Sequence, residues 1–456
     1  MAELHIWMNG QPVGVWSTLR TGTPVLRYHE AWVQSAEGRA LSLSLPFTAD
    51  LEHRGAVVNH YFDNLLPDSA DIRRRIRRRF HAKSDEAFDL LTAIGRDCVG
   101  AVQLLPPGAQ PAGWDRVEAE PLKDAEVEAI LRSVTTEQLL GQAGNEDDFR
   151  ISIAGAQEKT ALLRMGRRWY RPHGATPTTH ILKLPLGLVG HMRADMTDSV
   201  ENEWLCARIM AALGFDMAPT EMATFGGTKV LVVTRFDRRW QGVPPGAETK
   251  ARFRPPEGAW IARLPQEDFC QALGVAPDRK YQNDGGPSVQ DCLGVLAQGE
   301  SAAADRATFA LAQLAFWLLA ATDGHAKNFS IAHRRGGRFA LRPLYDVLSA
   351  WPIIGDGANR IAYERAKLAM SIRGQRNQHY RLRDIQARHW RRLADAAGPG
   401  VWTRMIQMVV QVDAVLAEVE AELPAGFPGR TWGPTAAGLR RHATAFLRGL
   451  EAAGLG

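Results

Sequence analysis

The sequence predicts an α+β fold in which a β-rich first half precedes a mainly helical second half. Short strand-like segments separated by turn residues occupy residues 1–50 and 149–236, whereas helical periodicity dominates from Leu264 onward. Strands and helices do not alternate regularly, which disfavours a large parallel sheet. The 456 residues are enough for about three domains. We place them at residues 1–145, 146–236 and 237–456.

The first module is predicted to begin with three short strands at Ile6–Met8, Val13–Trp16 and Leu41–Leu45. Asn9-Gly10 separates the first two strands, and this dipeptide is a strong signal for a hairpin turn. The module is therefore expected to open with a small antiparallel sheet.

A helix is predicted from Ser69, which can cap it, to Phe80. Its apolar residues Ile72, Ile76 and Phe80 recur every four positions and form a narrow stripe. The rest of the helix surface carries six arginines, namely Arg73, Arg74, Arg75, Arg77, Arg78 and Arg79. This surface fits an anion-binding or partner-binding face, but the favoured interpretation is an ordinary solvated face.

The remaining elements follow from periodicity and from turn residues. Helices are predicted at Pro121–Leu140 and Val200–Leu213, and mainly helices after Leu264. A strand, turn and strand are predicted at Phe149–Leu163, further strands at Thr179–Leu184 and Val230–Phe236, loops at Pro106–Gly113 and Gln241–Gly258, and a hairpin at Phe329–Leu344 that turns at Arg335-Gly336-Gly337.

The composition is that of a globular protein, with 45% hydrophobic and 23% charged residues. The net charge is +5, with nine lysines and 46 arginines, and this mild excess is only a hint of anionic partners. The N-terminus lacks the pattern of a signal peptide, and the longest apolar stretch, Phe309–Ala321, is too short to span a bilayer. Four widely spaced cysteines fit a reduced protein without a zinc site. We therefore expect a cytoplasmic protein that does not engage a membrane.

The most informative segment runs from Asp323 to Asp346. Asp323 and Asn328 are five positions apart, and a predicted hairpin separates them from Asp346. Phosphoryl transfer from ATP needs a carboxylate near the acceptor hydroxyl and oxygen ligands for Mg²⁺, and protein kinases place an Asp, an Asn and a second Asp in this order. Each residue alone also fits a turn or a helix cap. Together they predict a phosphoryl-transfer site.

Upstream residues support this interpretation. Lys183 lies in an apolar strand, where kinases place a lysine that contacts the nucleotide phosphates and pairs with a glutamate of the next helix. Glu201 and Glu203 open that helix, and we prefer Glu203. The alternative is a surface lysine on an edge strand. The turn at residues 154–157 has only one glycine, Gly155, and is a weak match to a kinase glycine loop.

Seven segments together resemble the HipA family of serine/threonine-kinase toxins from bacterial type II toxin–antitoxin systems. They are FDNLLPDS (62–69), FDLLTAIGRDCVGAV (88–102), ISIAGAQEKTALL (151–163), TPTTHILKLP (176–185), RFDRRW (235–240), RLPQED (263–268) and TDGHAKNFS (322–330). The resemblance extends from about residue 1 to residue 450. It implies a protein-kinase-like bilobal fold of the HipA type, with a small β-rich N-terminal module and an all-helical C-terminal lobe.

The resemblance also implies roles for individual residues. Asp323 is expected to be the catalytic residue, Asn328 and Asp346 the metal ligands, and Ser152 the site of autophosphorylation. The implied ATP-binding residues are Ala154, Gly155, Ala156, Gln157, Glu158, Lys159, Lys183, Thr234, Arg235, Phe236, His325, Ala326, Lys327, Asn328, Tyr345 and Asp346. In the family a glutamate can occupy the position of Thr234. The backbone at this position could still contact adenine, whereas a contact made by the glutamate side chain would be lost.

The implied cofactors are ATP and Mg²⁺. The implied partners are a HipB-like helix-turn-helix antitoxin, operator DNA bound through the toxin–antitoxin complex, and a protein substrate such as an aminoacyl-tRNA synthetase. The expected consequence is growth arrest and persistence. Two alternatives stay open, namely a phosphotransferase acting on small molecules and a co-repressor that has lost catalysis.

Overall fold

The computed structural model describes residues 2–135, 157–190 and 193–454. The chain forms two compact units. The first comprises Met1–Leu184, Ala223–Asp278 and Ile331–Phe339, and the second comprises Pro185–Met222, Arg279–Ser330 and Ala340–Gly456. The predicted α+β class is confirmed. The division into three domains at residues 145 and 236 stays a prediction.

An antiparallel five-stranded sheet opens the first unit. In spatial order its strands are Glu52–Arg54, Pro24–Tyr28, Gln11–Thr18, Ala2–Met8 and Gln103–Leu105. The predicted hairpin turn is confirmed, since Asn9 and Gly10 both have positive φ angles. Three α-helices of this region, Ala56–Asp63, Ala70–Arg79 and Ala87–Ile94, contribute apolar side chains to the same core, and a fourth, Glu30–Gln34, contributes Trp32.

The strand predicted at Leu41–Leu45 is wrong, because this segment is a series of bends and turns. Leu41 and Leu45 are both buried. The hydroxyl of Tyr28 accepts a hydrogen bond from the Leu41 N–H at 2.9 Å and donates one to the Leu45 carbonyl at 2.6 Å. This bridge satisfies backbone groups that a strand would pair with a neighbouring strand, so an apolar run is buried here without a sheet.

The arginine-rich helix forms as predicted, at Ala70–Arg79, with the Ser69 side chain accepting from the Ile72 N–H. Ile76 and Phe80 pack against the core. Arg73 pairs with Asp63 at 2.7 Å, and Arg75 pairs with Glu158. Arg74, Arg77, Arg78 and His81 line an open cavity of about 550 Å³. Two of these cavity residues, Arg74 and Arg77, also pair with carboxylates, those of Asp71 and Asp85, so the basic surface of the helix is partly neutralised.

A second sheet has six strands. In spatial order its strands are Thr220–Phe225, Thr228–Thr234, His180–Lys183, Lys159–Met165, Arg168–Pro172 and Ala119–Leu122. The helix Asp124–Thr135 covers one face and packs Val127 and Leu131 against that core. The helix predicted from Pro121 starts later, because Pro121 pairs with Tyr170 in the sheet.

Several smaller elements accompany these two sheets. They are the strand pair Arg238–Gln241 and Trp260–Arg263, a three-stranded sheet of Gln266–Asp268, Ser330–His333 and Phe339–Leu341, and the short helix Phe269–Ala272. The last two strands of the three-stranded sheet form the predicted hairpin, and Gly336 and Gly337 in its turn have φ angles of 72° and 71°. The loop Gln241–Gly258 contains only a single turn of 3₁₀-helix, at Ala247–Thr249.

A buried ionic network lies within the first unit. The carboxylate of Asp97 contacts three guanidinium groups, those of Arg238 at 2.9 Å, Arg263 at 3.2 Å and Arg235 at 3.3 Å. It also accepts hydrogen bonds from the backbone N–H and the hydroxyl of Thr178, at 3.1 and 2.7 Å. Asp97 therefore links the chain before the last strand of the five-stranded sheet to segments that flank the six-stranded sheet.

A second carboxylate, Asp237, completes this network. It contacts Arg235 at 2.8 Å and Arg238 at 3.0 Å, and it accepts a hydrogen bond from the Gly100 N–H at 2.8 Å. Buried charges are tolerated only when they are paired and hydrogen-bonded. The network therefore specifies how the segments around residues 97, 178, 237 and 263 pack within the unit.

The second unit contains seven α-helices in its described residues. They are Ser199–Ala212, Val289–Leu296, Ala302–Leu318, Ala387–Ala397, Val401–Val410, Val412–Ala421 and Gly429–Ala453. This unit also contains two strand pairs, Gly187–Val189 with Ala194–Met196 and Lys367–Arg373 with Gln378–Arg381. The expectation of an all-helical C-terminal lobe at residues 237–456 is wrong in one respect, because the second of these pairs and the strands between Arg238 and Leu341 fall within that range. The second pair closes through a turn in which Gly374 donates to the Asn377 carbonyl.

No helix within the described residues is both long and apolar enough to cross a membrane. The four cysteines, Cys98, Cys206, Cys270 and Cys292, are all buried free thiols.

Candidate active site

The first part of the candidate site is Asp323, which follows the buried helix Ala302–Leu318. Its side chain is 61% exposed, although the last ten residues of the preceding helix, Phe309–Leu318, are all buried. Gly324 comes next, and a Cβ atom at this position would lie 2.3 Å from the ring of Phe316. Only glycine fits there. The sequence thus brings the chain out of the core and presents a carboxylate at the surface.

The side chain of Asn328 joins Asp323 to Asp346. Its amide nitrogen donates to the Asp323 carbonyl at 3.1 Å and to the Asp346 carbonyl at 3.2 Å. An asparagine amide has two N–H donors, so both are used, and the amide oxygen is left to accept. Asn328 is only 3% exposed. The hairpin between the two aspartates therefore returns the chain to Asn328, as the sequence predicted.

Asp346 itself has a φ angle of 60°, a conformation that residues other than glycine seldom adopt. Such strained positions cluster at functional sites. The preceding residue, Tyr345, fixes the loop, because its hydroxyl donates to the Lys327 carbonyl at 2.9 Å and lies 2.5 Å from the Ser330 hydroxyl. The positions of Asp346 and Asn328 are therefore held together by both side-chain and backbone groups.

In the first unit, two lysines lie opposite each other in the six-stranded sheet. Lys159 and Lys183 are register partners on adjacent antiparallel strands, so their side chains leave the same face. The neighbouring residues Leu162 and Leu182 point to the core on the other face. Lys183 is 6% exposed and its strand lies inside the sheet, so the alternative of a surface lysine on an edge strand is wrong.

The residues before Lys159 are anchored to the end of this strand. The side-chain amide of Gln157 donates to the Leu184 carbonyl at 2.5 Å, and the Leu184 N–H donates to the Glu158 carbonyl at 3.0 Å. The Glu158 carboxylate forms an ion pair with Arg75 of the arginine-rich helix. The end of the predicted nucleotide loop is therefore tied to two elements of the first unit.

Comparisons with known proteins match both parts of the chain to one family. Residues 4–105 match the HipA N-terminal domain, and residues 151–424 match the HipA-like C-terminal domain. The chain belongs to the HipA family.

Relatives of this HipA-family chain include a putative kinase, Y4mE, of Sinorhizobium fredii, which is 34% identical over 87% of this chain and 86% of its own length. The serine/threonine-protein kinase toxin HipA of Shewanella oneidensis is 27% identical over 72% of this chain and 70% of its own length. A chain in the solved complex of HipA, HipB and operator DNA from Shewanella oneidensis superimposes with a TM-score of 0.76. That chain is 23% identical, with 98% of each chain covered, and the match confirms the kinase-like HipA fold.

Three of the predicted ATP-binding residues of this HipA-family chain, Thr234, Arg235 and Phe236, have a mixed outcome. Thr234 ends the strand Thr228–Thr234 and pairs with His180. The Arg235 N–H donates to the Thr179 carbonyl, and its guanidinium belongs to the buried network around Asp97. Neither of these Arg235 groups is therefore available to a nucleotide in this arrangement. Adenine binding by the backbone near Thr234 and Phe236 stays a prediction.

The structure gives the positions of several other predicted residues, but their roles stay predictions. Glu203 is 3% exposed on the helix Ser199–Ala212 of the second unit, whereas Lys183 belongs to the first, and their pairing stays a prediction. His325, Ala326 and Lys327 are buried around a 3₁₀ turn beside Asp323. Ser152, Ala154, Gly155 and Ala156 lie outside the described residues.

Sequence reasoning missed Tyr281. Its hydroxyl donates a hydrogen bond of 2.5 Å to Oδ1 of Asp323, although 42 residues separate the two positions. Its ring also stands edge-on to the His325 ring, with centroids 5.1 Å apart. A lone tyrosine in a polar segment carries no local signal of such a contact.

Proposed function

We propose that this chain is an ATP- and Mg²⁺-dependent protein serine/threonine kinase that acts in the cytoplasm as the toxin of a type II toxin–antitoxin module. The observation that carries the proposal is the side chain of Asn328, which donates to the carbonyls of both Asp323 and Asp346. It brings an exposed carboxylate, an amide oxygen and a second aspartate into one place. Mg²⁺ prefers such oxygen ligands.

The proposed roles follow from this geometry and from the family. Asn328 and Asp346 would hold Mg²⁺, which would neutralise negative charge on the nucleotide phosphates. Asp323 orients the acceptor hydroxyl and accepts its proton. His325, Ala326, Lys327 and Tyr345 complete the nucleotide site.

The first unit supplies the proposed phosphate contacts. Like charges directly opposite each other on a sheet are unfavourable unless an anion or a carboxylate compensates for them. The side chains of Lys159 and Lys183 project from the same face of the sheet, and their two positive charges suit the phosphates of ATP. Residues 154–159 are proposed to wrap the phosphates, and Glu203 is proposed to pair with Lys183.

The test is transfer of radiolabelled γ-phosphate from ATP to proteins of a cell extract and, in parallel, to a panel of small hydroxylated acceptors. Transfer to protein supports the proposal. Transfer only to small acceptors supports a phosphotransferase of small molecules, and the absence of any ATP turnover supports a co-repressor without catalysis. Phosphoproteomics after brief induction tests whether an aminoacyl-tRNA synthetase is the substrate.

Asp346→Asn is expected to raise the Mg²⁺ concentration needed for half-maximal transfer, because the substitution removes a charged ligand. The kinase assay across a Mg²⁺ titration measures this change. Asp384→Asn, which changes an exposed carboxylate of the same unit, serves as the control. An unchanged Mg²⁺ requirement in Asp346→Asn would argue against its role as a ligand.

The chain is expected to form a stable complex with a HipB-like helix-turn-helix antitoxin. Co-expression followed by size-exclusion chromatography should show co-elution. Binding of the complex to operator DNA should weaken steeply with salt, because contacts with DNA phosphates release counterions. Two results together would contradict this proposal. The chain would elute alone, and the antitoxin would bind DNA equally well with and without the chain.

Ser152 is expected to become phosphorylated when the chain is incubated with Mg-ATP. A phosphate adds nearly two negative charges and three acceptor oxygens, and its accommodation would pull residues 154–159 away from the ATP phosphates. Mass spectrometry should detect the modification, accompanied by loss of activity, and should not detect it in Asp323→Ala. If Ser152 stays unmodified and activity is undiminished, this switch is absent but the kinase assignment stands.

A further inference from the structure

Tyr281 lies in a rigid turn of the second unit. Its carbonyl accepts hydrogen bonds from the N–H groups of Asp284 at 3.0 Å and Gly286 at 2.9 Å. A Cβ atom at Gly286 would lie 2.0 Å from the Arg279 carbonyl oxygen, so the turn closes too tightly for any other residue.

The next residue, Gln282, anchors the turn to a strand. Its side-chain oxygen accepts from the N–H of Ser371 at 2.8 Å and from the Ser371 hydroxyl at 3.0 Å. Ser371 lies in the strand Lys367–Arg373 and is fully buried. Tyr281 is thus presented by a closed turn that is anchored to a buried strand, and a group that must position another one requires such support.

The hydroxyl of Tyr281 holds one oxygen of Asp323. It donates to Oδ1 at 2.5 Å, and Nε2 of His325 lies 3.9 Å from the same oxygen. Among the described residues, no donor forms a hydrogen bond with Oδ2 of Asp323. The carboxylate is therefore fixed through one oxygen, while the other stays open on a side chain that is 61% exposed.

We propose that Tyr281 is a positioning residue for Asp323. An exposed aspartate samples several rotamers, and fixing it in one of them costs conformational entropy at each turnover. The phenol holds the carboxylate before the substrate arrives and directs Oδ2 towards the acceptor hydroxyl. This role rests on the proposed function of Asp323 as the catalytic residue.

The test is Tyr281→Phe, which removes the hydroxyl and keeps the ring beside His325. Single-turnover transfer of the γ-phosphate is expected to slow by roughly 10- to 100-fold, the range expected when a reacting group is misplaced. The KM for ATP should be unchanged, because Tyr281 acts on the acceptor side of the reaction. If Tyr281 had only a structural role, its substitution would not slow transfer while leaving the KM for ATP unchanged.

Tyr363→Phe is the matched control, since it removes a tyrosine hydroxyl that contacts Nε2 of His442 at 2.9 Å within the same unit. It should retain the wild-type rate. Equal losses in both variants, an unchanged rate in Tyr281→Phe, or a loss confined to the KM for ATP would overturn the positioning role. If Asp323→Asn still transfers phosphate, the proposed function fails. If Asp323→Asn is inactive while Tyr281→Phe is unaffected, only the role of Tyr281 fails.

Discussion

Asp323→Asn is expected to reduce phosphoryl transfer by roughly 10²- to 10⁴-fold, the usual contribution of a residue that accepts a proton in the transition state. Asparagine keeps the size of the side chain and an oxygen that can accept from Tyr281, but it cannot take up the acceptor's proton. The side chain is 61% exposed, so the substitution creates no cavity and leaves no buried group unpaired. The melting temperature should therefore be unchanged.

Transfer of radiolabelled phosphate to the protein substrate measures this loss, and circular dichroism follows the fold. Asp356→Asn is the control, because Asp356 is another exposed carboxylate of the second unit. Expression of Asp323→Asn should also relieve growth arrest in cells. A rate near that of the wild type would show that Asp323 is not the catalytic residue.

The parts of the site that could be predicted from the sequence are those encoded by short spacings. Asp323 and Asn328 are five residues apart, so a single turn brings the side chain of one to the backbone of the other. Asp346 lies beyond a hairpin, whose turn glycines were also recognisable. Lys183 was notable because a charged residue interrupted an apolar strand, and its burial is confirmed.

The parts that could not be predicted depend on contacts between distant positions. The family resemblance implies a nucleotide-site role for Arg235, yet its guanidinium contacts Asp97, which is 138 residues away. Leu41–Leu45 has the composition of a strand, but the hydroxyl of Tyr28 takes its backbone hydrogen bonds. Local patterns contain no information on such partners, because tertiary packing alone decides them.

Asp97→Asn is expected to destabilise the first unit by about 3–5 kcal/mol, the usual cost of removing one partner from a buried ionic network. Asp97 contacts three guanidinium groups, and each of these side chains is only 2% exposed. When the charge of Asp97 is removed, Asp237 is the only carboxylate of the network that is left to compensate for its three buried guanidinium groups.

Urea unfolding, with hydrogen exchange of the amides near Gly100 as a local probe, measures this effect. Asp115→Asn, at an exposed position in the same unit, is the control and should change the stability by less than about 0.5 kcal/mol. Equal stability of the Asp97→Asn and Asp115→Asn variants would show that the network contributes little.

The same network should make the stability of the first unit depend on acid pH. Burial alone would raise the pKa of Asp97, but the guanidinium groups of Arg238, Arg235 and Arg263 outweigh it and hold that pKa well below its ordinary value. Burial would also raise the pKa of Asp237, but the guanidinium groups of Arg235 and Arg238 lower it to about 2. An unfolded aspartate has a pKa of about 3.9, so the unfolded chain binds protons first as the pH falls. The stabilisation is therefore fully present above about pH 5, declines below about pH 4, and is lost as the pH passes through the folded values.

Urea midpoints measured between pH 7 and pH 3 should fall less steeply in Asp97→Asn than in the wild type, because one of the two carboxylates no longer titrates. An acid limb of identical slope in both proteins would mean that other carboxylates determine the acid sensitivity.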